Sequence, residues 1–179
     1  MSKMPRLFVA ITLTKEIADS LYSSALLLRN NSTYANISRK ENLHLTLAFI
    51  GESNNIREAS DALKEIDIKP FELIFEGFGE FASRDGSICY AKTEKNKTLE
   101  ALAESVRKNL TANGFKIDTK PFKAHITLCR QFTPAPSFTK ELMTNFLTKK
   151  SMQINAVSLM RSDRINGKLT YTEVSRKVL

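Results

Sequence analysis

Apolar and polar positions along this chain fall into a pattern that occurs twice. Residues 6–13, "RLFVAITL", form a short run rich in β-forming side chains, and Ile17, Leu21, Ala25 and Leu28 then recur at helical spacing through "KEIADSLYSSALLLRN". "HLTLAFIG" (44–51) alternates polar with aliphatic positions, Ile56, Ala59, Leu63 and Ile66 mark a second amphipathic helix, and "PFELIFEGF" (70–78) reads as a half-buried strand. A shift of 81 residues reproduces the order of these elements. "SICYAKTE" (87–94) falls on the first run, and Leu99, Leu102, Val106 and Leu110 form a helix that Asn113-Gly114 ends. "HITLCR" (125–130) falls on the second strand. Phe138, Leu142 and Phe146 follow an N-cap at Ser137, and "SMQINAVSL" (151–159) closes the series as a strand.

This pattern predicts an α+β protein of two pseudo-symmetric lobes, each an antiparallel-rich sheet backed by helices. The chain, 1–179, reads as a single bilobal domain with an internal repeat, approximately 6–80 and 87–160, and a C-terminal strand at 168–175. "QFTPAPSF" (131–138) is a Pro-containing turn between strand and helix, and no boundary lets the halves fold separately.

The two lobes place the chemistry. The chain holds two histidines, His44 and His125, and each precedes a threonine by two residues, Thr46 and Thr127. Alternate side chains of a strand share a face, so His44 and Thr46 point one way while Leu43, Leu45 and Leu47 point the other; Ala124, Ile126 and Leu128 likewise back His125 and Thr127. A lone histidine beside apolar residues is usually a packed, hydrogen-bonded side chain. Threonine fills about one position in twelve here, however, so its recurrence after both histidines has a chance of order one in a hundred. Two strands related by a pseudo-twofold axis can present their imidazoles across a central cleft, one as general base and one as general acid. In-line displacement at phosphorus needs that pair, with threonine hydroxyls and backbone N–H groups holding the non-bridging oxygens. No metal or other cofactor is required. A metal site at His44, His125 and Cys129 is the competing possibility, but it has only Glu41 and Glu52 as nearby carboxylates and leaves the threonines unexplained.

Charge narrows the partner. A formal net charge of +8 and a pI near 9.5 favour a polyanion, nucleic acid above all, over a merely solvated basic surface. Cys89 and Cys129 form no disulfide or zinc spacing and are expected as reduced thiols. The N-terminal apolar run is shorter than ten residues and no later stretch approaches a membrane span, so a cytoplasmic protein without membrane contact is expected.

The two HΦTΦ motifs, in "ENLHLTLAFIGE" and "PFKAHITLCR", together with the "RLFVAI" strand, resemble the two-histidine (2H) phosphoesterase superfamily, and within it the bacterial RNA 2′,3′-cyclic phosphodiesterases, also called 2′-5′ RNA ligases. The resemblance runs from about Arg6 to about Val174. It implies hydrolysis of an RNA 2′,3′-cyclic phosphate end, or a cyclic nucleotide, to a 2′-phosphomonoester. Carried over by motif position, His44 would be the proton donor, His125 the proton acceptor, and Thr46 and Thr127 ligands of the phosphate oxygens. Arg130, where the family commonly has an arginine, would bind substrate. In an undistorted strand Arg130 points away from His125, so a strand end or a bulge must turn it. Its repeat partner, Phe49, could stack a base, although "LAFIG" reads more simply as core. Ligation, the reverse of transesterification on the same phosphate, would use the same residues. Other substrates of the same chemistry are 2′-5′ linkages and cyclic ADP-ribose phosphate; a non-catalytic basic RNA-binding module is the remaining alternative. A monomer is expected. Where relatives carry an aromatic or proline-containing stretch this chain has "NISRKENL", whose Arg39 and Lys40 are either backbone contacts or ordinary surface charges.

Overall fold

The computed structural model describes residues 4–179, apart from the side chains at 145 and 146. Its strands are β1 (Arg6–Thr12), β2 (Ser32–Ile37), β3 (His44–Glu52), β4 (Phe71–Phe81), β5 (Ser87–Thr93), β6 (His125–Pro134), β7 (Lys150–Ile154), β8 (Ala156–Ile165) and β9 (Lys168–Val178). Its α-helices are α1 (Lys15–Asn30), α2 (Ile56–Lys64), α3 (Lys97–Ala112) and α4 (Lys140–Phe146), and a 3-10 turn covers Lys40–Asn42. Two antiparallel sheets result, one in the order β3-β1-β8-β9 and the other β2-β6-β5-β4-β7. The architecture is α+β with both sheets backed by helices.

The helices form where apolar spacing and caps agree. Thr14 accepts from the N–H of Ile17 (3.4 Å) to start α1, and Asn96 accepts from Leu99 (3.0 Å) to start α3. The C-terminus of α3 turns through Gly114 at φ +88°, where the N–H of Phe115 reaches back to the carbonyl of Leu110 (3.0 Å). α1 buries Ile17, Leu21, Ala25 and Leu28, and α3 buries Leu99, Leu102, Val106 and Leu110. Each such leucine, isoleucine or valine contributes about 1.5–3 kcal/mol, whereas an exposed pair such as Lys15–Asp19 contributes under about 1 kcal/mol, so packing decides the fold.

The connectivity interleaves the two halves. β1 lies between β3 of its own half and β8 of the other, while β5 lies between β6 and β4. The helices cross as well: α1 packs on β6, and α3 packs on β3. One continuous apolar core therefore includes residues from both sheets, from Leu7 and Leu45 to Leu128 and Leu159.

Four elements differ from expectation. The strand expected at 151–159 is two strands: β7 pairs with β4 and β8 pairs with β1, the chain changing sheets at Asn155. Met152 and Ile154 are buried in one sheet, while Ala156 to Met160 are buried on both faces between β1 and β9, so a single alternating strand satisfies neither environment. β2 arises from the polar segment "STYANI", an exposed edge strand whose order comes from backbone pairing with β6 and not from hydrophobicity. The N-cap of α4 is Thr139, not Ser137, because the N–H of Phe138 closes a turn onto Ala135 (2.9 Å) that takes in Ser137. Met143 and Leu147 are buried at this helix, Leu142 is half-buried, and the side chain of Phe146 lies outside the described ones. The C-terminal strand expected at 168–175 runs on to Val178, joined to β8 by a two-residue Asn166-Gly167 turn with both φ values positive (51° and 76°). No helix among the described residues is long and apolar enough to cross a membrane.

Because each sheet needs a strand from both halves, fragments 1–82 and 83–179 expressed separately are expected to show no cooperative urea transition by circular dichroism, whereas the whole chain does. A cooperative transition in either fragment would show that the exchange of strands is dispensable.

Candidate active site

Along β1 the pairing with β3 runs Thr12↔His44, Ile11↔Leu45 and Ala10↔Thr46, then jumps to Val9↔Ala48. Leu47 is therefore an extra residue, a β-bulge. β6 does the same against β5, from Tyr90↔Thr127 to Cys89↔Cys129, with Leu128 extra. Leu47 and Leu128 are 81 residues apart, so the two histidine strands carry the same irregularity at the same place. Each bulge puts two consecutive residues into the core, Leu47-Ala48 and Leu128-Cys129, and reverses the facing of the residues beyond them. Phe49 and Arg130 are thereby turned onto the face that carries the histidines and threonines. Ser38 steadies the β6 bulge: its N–H donates to the carbonyl of Leu128 and its hydroxyl to that of Thr127, both at 2.8 Å.

That face opens into a cleft of about 650 Å³ lined by His44, Thr46, His125 and Thr127, with Arg130, Phe49 and Tyr171. β3 and β6 touch across it. Both imidazoles are held the same way: Nδ1–H of His44 donates to the carbonyl of Asn42 (2.6 Å), and Nδ1–H of His125 to that of Lys123 (2.7 Å). With Nδ1 committed to a carbonyl, Nε2 of each ring is the atom that takes up or releases a proton. Nε2 of His44 meets the Thr46 hydroxyl at 2.9 Å.

Aromatic edges wall in both rings. His44 lies 5.0 Å from Phe8 and 5.1 Å from Tyr171, the latter perpendicular; His125 lies 5.2 Å from Phe81 and 5.5 Å from Tyr90. Tyr90 has room only because its strand partner is Gly79, where a Cβ would collide with the tyrosine ring. The ammonium of Lys123 sits 4.4 Å above the Phe81 ring. Burial holds the His44 imidazole below its ordinary value of 6.5, and the nearby charges of His125 and Arg130 push the same way against the opposing bond to Asn42.

Five cationic side chains, Arg6, Arg39, Arg130, Arg164 and Lys168, line the cleft, and none of its described lining residues is acidic. Low-dielectric walls of one charge sign concentrate an anion. Lined by two imidazoles, two threonine hydroxyls and a guanidinium, the cleft suits acid–base attack on a phosphodiester.

Residues 23–166, a span that takes in both histidine strands, match the family described as the 2′-5′ RNA ligase superfamily. The chain belongs to that superfamily. Among its relatives in the 2′-5′ RNA ligase superfamily, the RNA 2′,3′-cyclic phosphodiesterase of Archaeoglobus fulgidus is 32% identical over 130 residues, which cover 70% of this chain and 72% of the relative. The Bacillus subtilis protein of the same name is 28% identical over 141 residues, 75% of each chain. The crystal structure of Escherichia coli LigT in apo form has a TM-score of 0.78 at 25% identity, covering 99% of this chain and 98% of that one.

The six residues singled out from the sequence as site candidates, His44, His125, Thr46, Thr127, Arg130 and Phe49, all line this one cleft. Phe49 corrects the expectation of core: it is 66% exposed, because the bulge at Leu47 moves it off the buried face. Cys129 is also displaced, into the core opposite Cys89, and both thiols are free and buried. Among the described residues, no three His, Cys, Asp or Glu side chains group around a possible ion. Lys40 pairs with Asp19 (2.9 Å), while Arg39 donates to the carbonyl of Leu169 (3.1 Å) and so ties the 3-10 turn to β9. Sequence reasoning missed Tyr171, Arg6, Arg164 and Lys168. Only the cationic excess hinted at the last three, because long-range strand order decides which cations share a cleft.

Two measurements test this geometry. In a proton NMR titration of the free protein, the His44 ring titrates below 6.5, and replacing Arg130 with Gln moves it upward. The unfolded chain then binds a proton that the folded one refuses, so stability declines as pH falls through the ordinary imidazole range toward the lowered value. Gly79→Ala displaces the Tyr90 ring, and with it the wall of His125; we expect turnover to drop about 10- to 100-fold with the thermal transition largely kept. Unchanged turnover would remove Tyr90 from the positioning of His125.

Proposed function

We propose that this protein hydrolyses 2′,3′-cyclic phosphodiester ends of RNA to 2′-phosphomonoesters by metal-independent acid–base catalysis. The observation that carries the proposal is the pair of equivalently anchored imidazoles, each held at Nδ1 by a backbone carbonyl and both lining one cationic cleft. The curated relatives named RNA 2′,3′-cyclic phosphodiesterase support the substrate class.

His125 takes the proton from the attacking water through Nε2. His44, on the opposite flank of the phosphorus, delivers a proton to the departing 3′-oxygen, and the P–O3′ bond breaks as the new P–O bond forms. The hydroxyls of Thr46 and Thr127 donate to the non-bridging oxygens, and the Arg130 guanidinium offsets the charge that develops on them. The lowered His44 imidazole holds its proton less tightly than an ordinary one and, once protonated, is the stronger acid. The bound phosphodiester anion opposes the repulsion from His125 and Arg130 and so raises the protonated fraction. Phe49 offers an exposed ring at which a base can stack.

We read residues 6–80 and 87–160 as an internal repeat within one bilobal domain, a reading supported by the paired bulges at Leu47 and Leu128. We expect a monomer, and the RNA substrate fits a cytoplasmic location.

A short RNA with a 2′,3′-cyclic end should yield a 2′-phosphate, identified by phosphorus NMR, at a rate that excess chelator leaves unchanged. His44→Ala and His125→Ala each lower kcat by about 10²- to 10⁴-fold. A substrate with sulfur as the 3′-bridging atom, which departs without a proton, restores the rate of His44→Ala and not that of His125→Ala. Rescue of the His125 variant alone would exchange the two roles, and turnover surviving both substitutions would reject the mechanism.

A further inference from the structure

The carbonyl that holds the His44 ring belongs to Asn42 (2.6 Å), the last residue of the 3-10 turn Lys40–Asn42. So short a turn has little backbone support of its own. The peptide plane that carries this acceptor is held on its N–H side by a single bond, from Leu43 to the carbonyl of Lys40 (3.2 Å), and the plane before it by the N–H of Asn42, which donates to the carbonyl of Arg39 (2.9 Å).

The side chain of Asn42 supplies a third hold. Its amide donates to the carbonyl of Leu169 on β9 (2.9 Å), an acceptor it shares with the Arg39 guanidinium (3.1 Å). Two residues further along β9, Tyr171 sets its ring perpendicular to His44 at 5.1 Å and edge-on to Phe8 at 5.0 Å. Asn42 therefore grips the imidazole with its backbone and the strand that walls the imidazole with its side chain. The other half repeats this arrangement with different chemistry. Lys123, 81 residues on, holds His125 with its carbonyl (2.7 Å), and its ammonium lies 4.4 Å from the Phe81 ring and 5.4 Å from the Tyr90 ring, the two rings that wall His125. At both histidines, the residue two positions back ties the ring's acceptor to the ring's wall.

We propose that Asn42 is a positioning residue for His44, its amide tied to β9 so that its carbonyl stays aimed at the imidazole Nδ1–H. This rests on the function proposed above and deepens it. An amide carries no proton in the reaction, so Asn42 acts through the ring. While the acceptor keeps its place, Nδ1 keeps its proton and Nε2 points where a proton must be delivered; an acceptor that swings away frees the ring to turn and to carry its neutral-state proton on Nε2 instead.

Asn42→Ala removes the amide and keeps the carbonyl. Asn42 is half-buried and its neighbour Leu43 stays in the core, so the variant should keep its thermal transition. Its kcat on a cyclic-ended RNA should fall about 5- to 20-fold. In the His44→Ala background the same substitution should add nothing, because an effect exerted through a ring vanishes with the ring. Equal losses in the two backgrounds, the result of a direct contact between Asn42 and substrate, overturn the proposal, as does an unchanged kcat. A second readout is independent of turnover. In a proton NMR titration of the free protein, His44 of the Asn42→Ala variant should titrate below His44 of the wild type, since the bond to the Asn42 carbonyl favours the protonated ring against burial. Long-range proton–nitrogen spectra should show the neutral ring's proton moving from Nδ1 toward Nε2. If the wild type turns over no cyclic substrate while the titration and tautomer shift, the proposed function fails and the positioning of the ring stands. An unchanged titration and tautomer remove it whatever the turnover.

Discussion

One extra residue in each histidine strand decides what this cleft contains. A regular strand gives alternate residues to opposite faces, so the histidine and threonine of each motif would be followed on the cleft side by Ala48 and by Cys129. The bulges at Leu47 and Leu128 break that alternation and bring Phe49 and Arg130 to the chemical face instead. A fixed positive charge beside two imidazoles is what separates a phosphate site from a pair of packed histidines. The bulged strands can keep this irregular geometry because the residues behind them, Leu45, Leu47, Ile126 and Leu128, are all buried in the common core.

The interleaved topology supplies the rigidity that acid–base chemistry needs. Two lobes that folded independently and met at the cleft could shift relative to one another, and the histidines would shift with them. Here β4 and β8 each cross to the other half's sheet, and α1 and α3 cross as well, so an opening motion would have to break strand pairing and the shared core together. The anchoring of Nδ1 on the carbonyls of Asn42 and Lys123 then carries this rigidity out to the ring nitrogens. Asn42 is doubly placed: its side-chain amide donates to the carbonyl of Leu169 (2.9 Å), so the turn that orients His44 is fastened to the strand that carries Tyr171.

The sequence exposed the paired motifs, the helices with their apolar stripes, and the face shared by histidine and threonine, because each depends on spacing within a few residues. The exchange of strands was hidden, since order within a sheet is settled by long-range packing that no local period records. β2 was hidden for the opposite reason: "STYANI" has no apolar alternation, and an edge strand needs only a neighbour's free backbone groups. Phe49 failed in an instructive way. The run "LTLAFIG" looks uniformly buried, and only the extra residue at Leu47, invisible without knowledge of the partner strand, moves the phenylalanine into solvent. The parity conflict at Arg130 was the trace that a bulge left in the sequence, whereas at its repeat partner Phe49 the apolar run concealed it.

The charge of the cleft and the protonation of His44 are one coupled property. Burial disfavours a proton on His44, and the neighbouring charges of His125 and Arg130 disfavour it further. An anion entering the cleft relieves the repulsion and, by reciprocity, strengthens proton binding to the same degree that proton binding strengthens the anion's hold. In the proposed mechanism the substrate itself thereby favours the protonated His44 that serves departure of the 3′-oxygen. A cleft neutralised by acidic neighbours, as Arg161 and Arg176 are neutralised outside it, would lose that coupling along with its attraction for phosphate. The absence of carboxylates from the described lining thus serves binding and proton transfer at once, and the instability it brings is carried by the core that both halves build.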